Sequence, residues 1–225
     1  MSKNNSNSRK NPASSVVERK EMPKATIFGI ALAVLAIAIC VIIAVAMNPK
    51  DKTVYVEMKV KDYGTVILKL DGESAPKTVD NFVRLVNDNF YDGLTFHRVM
   101  RDFMIQGGCP NGNGSGSSSK NVVGEFSENG FVNPISHRRG VISMARSDDY
   151  DSGSCQFFIC NADYPSLDGK YAAFGYVIEG MDVVYAITDT TVVYANPYSG
   201  AISDKSKQAV IEYIKVLDDY QQNAE

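Results

Sequence analysis

Residues 25–47 carry no charged side chain, and this run divides what the chain can become. As a helix it would span about 34 Å at roughly 1.5 Å per residue, enough to cross a hydrocarbon core of about 30 Å. Residues 1–24 before it are rich in Asn, Ser, Lys and Pro without apolar periodicity, which predicts a disordered tail. Arg19, Lys20 and Lys24 sit just ahead of the run. The excess of basic residues there places the tail in the cytoplasm and the long C-terminal part outside, although Lys50 and Lys52 weaken the bias. Residues 48–53 read as a short polar linker, and residues 54–225 as one globular domain close to the membrane. A cleaved signal peptide is the alternative. Ala44-Val45-Ala46 resembles a cleavage site, but the run exceeds the usual apolar core of about 7–15 residues. Lipidation at Cys40 is disfavoured by Ile39, which stands where a small residue is normal.

The net charge of -3 conceals an uneven distribution. Lys3, Arg9, Lys10, Arg19, Lys20 and Lys24 in the tail are opposed only by Glu18 and Glu21, so the domain is distinctly acidic. An acidic body argues against a nucleic-acid partner, which needs a cationic surface to neutralise phosphates. Cys40, Cys109, Cys155 and Cys160 form no C-x-x-C pair, so neither a zinc ribbon nor a dithiol redox motif is indicated. They read as small apolar side chains. The Gly/Ser run over residues 112–119 lacks the lysine that ends a phosphate-binding loop and reads as a flexible loop. Asp148, Asp149 and Asp151 crowd one segment without calcium-loop spacing and read as a solvated loop. No metal or cofactor is expected.

The domain itself is patterned for strands. Val54, Val56, Met58 and Val60 alternate with other residues, as do Val66, Leu68 and Leu70 after Asp62-Tyr63-Gly64. This is the period of a half-buried hairpin. Val79, Phe82, Val83 and Val86 then fall at helical spacing, with Pro76 suited to the first turn. Short apolar runs over residues 95–99, 103–106, 140–145, 155–160 and 172–177 follow, cut by glycine-rich turns. A second helix is predicted from Met181 to Ile187 and a last strand over 209–217. The chain is therefore mainly β, a closed barrel of short strands with two helices. There is no internal repeat.

Two segments carry the most specific information. One is Phe96-His97-Arg98-Val99 with Phe103-Met104-Ile105-Gln106-Gly107-Gly108. The other is Gly140-Val141-Ile142-Ser143-Met144-Ala145, then Gln156-Phe157-Phe158-Ile159, then the stretch from Leu167 to Gly175. In this order they resemble the cyclophilins, from about Val54 to Leu217. The resemblance implies an eight-stranded antiparallel β-barrel capped by two helices, with a groove on its outer face. It implies peptidyl-prolyl cis–trans isomerase activity on proline-containing polypeptides. Arg98 corresponds to the family's catalytic arginine. Phe103, Met104, Phe157, Leu167 and Phe174 correspond to the proline pocket, and Tyr171 stands at a pocket position where histidine is frequent. Gln106 and Gln156 correspond to groups holding the substrate backbone, and Ala145 and Arg146 to the stretch binding the peptide before proline.

These residue types suit the reaction. An X–Pro bond isomerises over a barrier of about 20 kcal/mol set by amide resonance. No covalent bond breaks, so neither a nucleophile nor a base is called for, and His97 reads as structural. His137 has no partner evident in the sequence. A donor aimed at the amide nitrogen weakens the resonance, and a guanidinium is a permanently charged, rigid donor. Ser166 stands where many members have tryptophan, which implies weak cyclosporin binding. Arg146 replaces a frequent asparagine, and its charge would favour acidic residues before proline. The loop over residues 147–154 is one residue longer than usual, and the segment 190–207 is lengthened with no role evident. A monomer is expected. The competing readings are a proline-peptide-binding chaperone or scaffold with incidental catalysis, and a structural membrane protein that borrows the fold.

Overall fold

The computed structural model describes residues 52–218 and 220. The expected tail, the apolar run and most of the linker lie outside the described residues. Among the described residues no helix is long and apolar enough to cross a membrane.

The strands are β1 (Thr53–Val60), β2 (Gly64–Asp71), β3 (Thr95–Met100), β4 (Met104–Gly107), β5 (Val141–Met144), β6 (Phe157–Cys160), β7 (Ala173–Glu179) and β8 (Ala209–Leu217). Helix α1 (Pro76–Asn87) follows β2, and α2 (Met181–Thr191) follows β7. The strands close into a barrel in the order β1-β2-β7-β5-β6-β4-β3-β8, every pairing antiparallel. Closure leaves no open sheet edge.

Alternation decides which side chains fill the barrel. Val56, Met58 and Val60 of β1 are wholly buried, as are Leu68 and Leu70 of β2. Phe96, Phe157 and Phe174 meet Phe82 and Tyr91 in the same core. Phe157 takes Phe82 and Phe96 edge to face, with centroids 5.6 and 6.1 Å apart. Burying one such ring contributes roughly 1.5–3 kcal/mol. Val79, Phe82, Leu85 and Val86 turn the apolar stripe of α1 into this core, and Val183, Val184 and Ile187 do the same for α2.

The residue that caps the start of helix α1 is Ala75, which has no side-chain acceptor for the first amides. Glu125 supplies one from a distant loop. Its carboxylate accepts from Lys77 N and Thr78 N, both at 2.9 Å, and from Thr78 Oγ1 at 2.7 Å. A carboxylate at a helix N-terminus also meets the positive end of the helix dipole. Before α2, Gly180 has φ +86°, and a Cβ there would lie 2.3 Å from Thr65 O. Only glycine fits this approach.

Cys109, Cys155 and Cys160 are buried free thiols. The Gly/Ser loop expected to be flexible is pinned: Gln156 Nε2 donates to Gly114 O at 2.9 Å and Gly116 O at 2.8 Å, and Gln208 Nε2 donates to Gly112 O at 2.8 Å. In the acidic loop, Asp151 accepts from Gly124 N and Asn129 Nδ2, so it braces two turns.

Candidate active site

The site begins with a bulge. Phe96 pairs with Gly107 and Arg98 with Gln106, so β3 advances two residues where β4 advances one. The extra residue reverses the alternation. Phe96 therefore faces the barrel core, while Arg98 faces outward beside Met104 and Gln106 of β4. His97, the extra residue, is buried, and burial pushes its pKa down to about 4. It is neutral at pH 7, in keeping with a structural role.

Arg98 is held on three sides. Its Nε donates to Ser199 O at 2.7 Å, Nη1 to Gln106 Oε1 at 3.1 Å and Nη2 to Met100 Sδ at 3.3 Å. Its guanidinium carbon lies 5.8 Å from the Phe103 ring centroid. Burial holds its pKa below the ordinary arginine value, yet a guanidinium keeps its charge in proteins. Beyond Gln106 the polar row continues, with Gln106 Nε2 donating to Gln156 Oε1 at 3.0 Å.

Beside this row lies a cavity of about 100 Å³ lined by Arg98, Phe103, Met104, Gln106, Ala145, Arg146, Phe158, Leu167 and Tyr171. Met104, Phe158 and Cys160 form its buried backing, with Phe103, Ala145, Leu167 and Tyr171 packed against them. A larger polar hollow of about 370 Å³ shares Gln106, Ala145 and Arg146 and runs on to Gln156 and the Gly/Ser loop. Arg146 stands between the two. Its guanidinium carbon lies 4.7 Å from the Tyr171 ring centroid, 4.8 Å from Tyr150 and 5.2 Å from Phe126. Its Nε donates to Lys170 O at 2.9 Å. Ser166 lies exposed on the short turn that delivers Leu167 to the groove.

Two expected pocket residues are corrected. Phe157 and Phe174 belong to the barrel core and do not line the groove. Successive residues of a strand face opposite ways, so the outward ring on β6 is Phe158. Phe158 was missed because two adjacent phenylalanines give no sign of which one points inward. His137, for which no partner was evident, is also placed. Its Nδ1 lies 2.8 Å from Asp168 Oδ1 and its Nε2 lies 3.0 Å from Ser143 Oγ. Burial holds its pKa down, against the pull of Asp168. As a neutral ring it donates from Nδ1 to the carboxylate and accepts from Ser143 at Nε2. These are the residue types of a hydrolase triad, but Ser143 is fully buried and meets no substrate. The ring instead stacks behind Phe158, with centroids 6.0 Å apart.

The site thus joins a row of charged and polar donors to an apolar pocket on the outside of a closed barrel. The chain belongs to the family described as cyclophilin type peptidyl-prolyl cis-trans isomerase/CLD, whose model matches residues 55–212. A peptidyl-prolyl cis-trans isomerase of Helicobacter pylori is 39% identical over 153 residues, which is 67% of this chain and 90% of that relative. Peptidyl-prolyl cis-trans isomerase B of Bacillus subtilis is 42% identical over 122 residues, 54% of this chain and 82% of that relative. A solved cyclophilin type isomerase of Cryptosporidium parvum, determined in the presence of the dipeptide Ala-Pro, has a TM-score of 0.63 at 26% identity. It matches 73% of this chain and 99% of that structure. The activity of the present chain is accordingly peptidyl-prolyl cis–trans isomerisation.

Proposed function

We propose that the groove binds a proline-containing segment with the pyrrolidine ring against Phe103, Met104, Phe158 and Leu167. The residues before proline run over Ala145 and Arg146 toward Gln156 and the polar hollow. Arg98 is the catalytic residue. As the preceding carbonyl rotates, conjugation is lost and the proline nitrogen gains lone-pair density, to which the guanidinium donates. That interaction is stronger in the twisted transition state than in either planar isomer, which is the condition for catalysis. The pocket holds the ring still while the acyl part turns. The observation that carries this reading is a guanidinium fixed by Ser199, Gln106 and Met100 at the rim of an apolar cavity.

An X–Pro isomerisation assay on the purified full chain tests it. Preorganised electrostatic groups contribute several kcal/mol, so Arg98→Ala is expected to lose at least about 100-fold in kcat/KM while still folding. Near-normal turnover would sink the role of Arg98. The same assay is expected to show weak cyclosporin inhibition, because Ser166 offers no indole donor; nanomolar inhibition would contradict this. The barrel is taken to act as a monomer, and a larger species in sedimentation would refute it.

The clients are polypeptides folding outside the membrane. Residues 25–47 are proposed to anchor the chain, with the tail in the cytoplasm and the barrel outside. The length of the charge-free run and the basic residues before it support this. Cell fractionation with external protease checks it: the chain should sediment with membranes and lose its barrel to protease on intact spheroplasts. Recovery in the soluble cytoplasmic fraction would reject the anchor.

A further inference from the structure

The lengthened segment before β8 meets Arg98 through its main chain. It lies alongside β3 where β8 has ceased to pair: Val99 N donates to Gly200 O at 2.8 Å and Ile202 N to His97 O at 2.9 Å. Arg98 and Ala201 form an isolated antiparallel bridge. The segment is tied into a turn by Asn196. Its Oδ1 accepts from Tyr198 N at 2.9 Å and Ser199 N at 3.0 Å. Its main chain closes the same turn, with Gly200 N donating to Asn196 O and Asn196 N to Ala201 O, both at 2.8 Å. This self-contained turn presents Ser199 O to Arg98 Nε.

A second contact acts on the same guanidinium. Gly200 has φ +75°, and a Cβ there would lie 2.4 Å from Met100 Cγ and 2.9 Å from Val99 O. The sulfur of Met100 accepts from Arg98 Nη2. The turn thus sets one acceptor directly and seats a second.

We infer that the turn over residues 196–200, organised by the Asn196 side chain, is a positioning device for Arg98; this rests on the catalytic reading of Arg98 given above. A guanidinium is planar, so fixing Nε on Ser199 O and Nη1 on Gln106 Oε1 fixes its plane. Nη1 also reaches Met104 Sδ at 4.0 Å, which leaves the second proton of Nη2 for the substrate. Without the turn, Arg98 would still be present and charged but would sample other rotamers. The loss would then fall on the rotation step rather than on binding of the proline ring.

Four full-length proteins test this: wild type, Arg98→Ala, Asn196→Ala and the double variant, with Asn196→Asp as the conservative replacement. Asn196→Ala is expected to lower kcat about 10-fold with KM within two-fold. Asn196→Asp, which keeps the Oδ1 acceptor, should recover most of that loss. In the Arg98→Ala background the Asn196→Ala change should cost less than two-fold. By NMR, the Arg98 Nε–H proton should exchange slowly with water in the wild type and rapidly in Asn196→Ala. Should Asn196→Ala fail to fold, Asn196→Ser, which shortens the acceptor, should show a smaller loss of kcat that likewise disappears in the Arg98→Ala background. Wild-type kcat in Asn196→Ala beside an inactive Arg98→Ala would overturn the positioning role and leave the catalytic reading standing. An undiminished Asn196→Ala loss in the double variant would overturn it as well. Full activity of Arg98→Ala would instead defeat the catalytic reading itself.

Discussion

Phe157 and Phe158 are neighbours on β6, and the pleat gives them different work. Phe157 lies among Phe82, Tyr91 and Phe96 inside the barrel, whereas Phe158 lies with Met104 and Cys160 behind the groove. Removing a buried phenylalanine ring from a core costs about 3–5 kcal/mol. Phe157→Ala should therefore lower stability by about that amount, read from the denaturant midpoint. Phe158→Ala should cost less stability and lower kcat/KM about 10-fold, mainly through KM, because a wall of the proline pocket is gone. A normal KM in a folded Phe158→Ala would remove that residue from the pocket. Arg146 gains a definite position at this scale. Its charge was expected to bias the choice of residue before proline. The side chain lies against three aromatic rings and is bonded to Lys170 O, so that charge is held at a fixed place in the groove wall.

Helix α1 is completed by a residue outside it. Its own sequence offers a good apolar stripe and Pro76, but Ala75 at the N-cap accepts nothing with its side chain. Glu125 fills that need with both carboxylate oxygens while almost wholly buried. Hydrogen bonds to a charged group contribute about 1.5–3 kcal/mol each, and the amides left behind carry a desolvation cost. Glu125→Ala should destabilise the fold by about 3 kcal/mol, and Glu125→Gln, which keeps one acceptor, by less. Chemical denaturation followed by circular dichroism measures both; an unchanged midpoint for the alanine variant would rule out this capping. The bulge on β3 belongs to the same scale. It turns a regular strand into one that faces Phe96 inward and Arg98 outward.

Taken whole, the molecule keeps two neutral imidazoles inside the barrel wall. Burial holds His97 at about 4 and lowers His137 too. An unfolded chain takes up the His97 proton near pH 6.5, whereas the native state resists it until about pH 4. Stability contributed by the neutral rings is therefore present above about pH 6.5 and is lost as pH falls toward 4. His97 alone accounts for on the order of 3 kcal/mol across that window. Unfolding measured at intervals from pH 7 to pH 4 should show this slope, and His97→Asn should flatten it. An identical slope in the variant would exclude His97 as its source.

The sequence by itself determined the class of fold, because a period of two repeated over short segments admits little but a small closed β structure, and one apolar stripe per helix must lie against it. Alternation alone did not mark the groove; the resemblance carried by the ordered motifs did, and Arg98, Phe103, Met104, Gln106, Ala145, Arg146, Gln156, Leu167 and Tyr171 line its two adjoining cavities. Tertiary structure decided the rest. Which of two adjacent phenylalanines faces the core depends on strand register, a property of pairing. The pairing of His137 with Asp168, of Glu125 with α1 and of Ser199 with Arg98 joins residues far apart in the chain. Ser199 contributes only a carbonyl oxygen, which every residue possesses. No side-chain chemistry could announce it; only closure of the barrel brings that oxygen to the arginine.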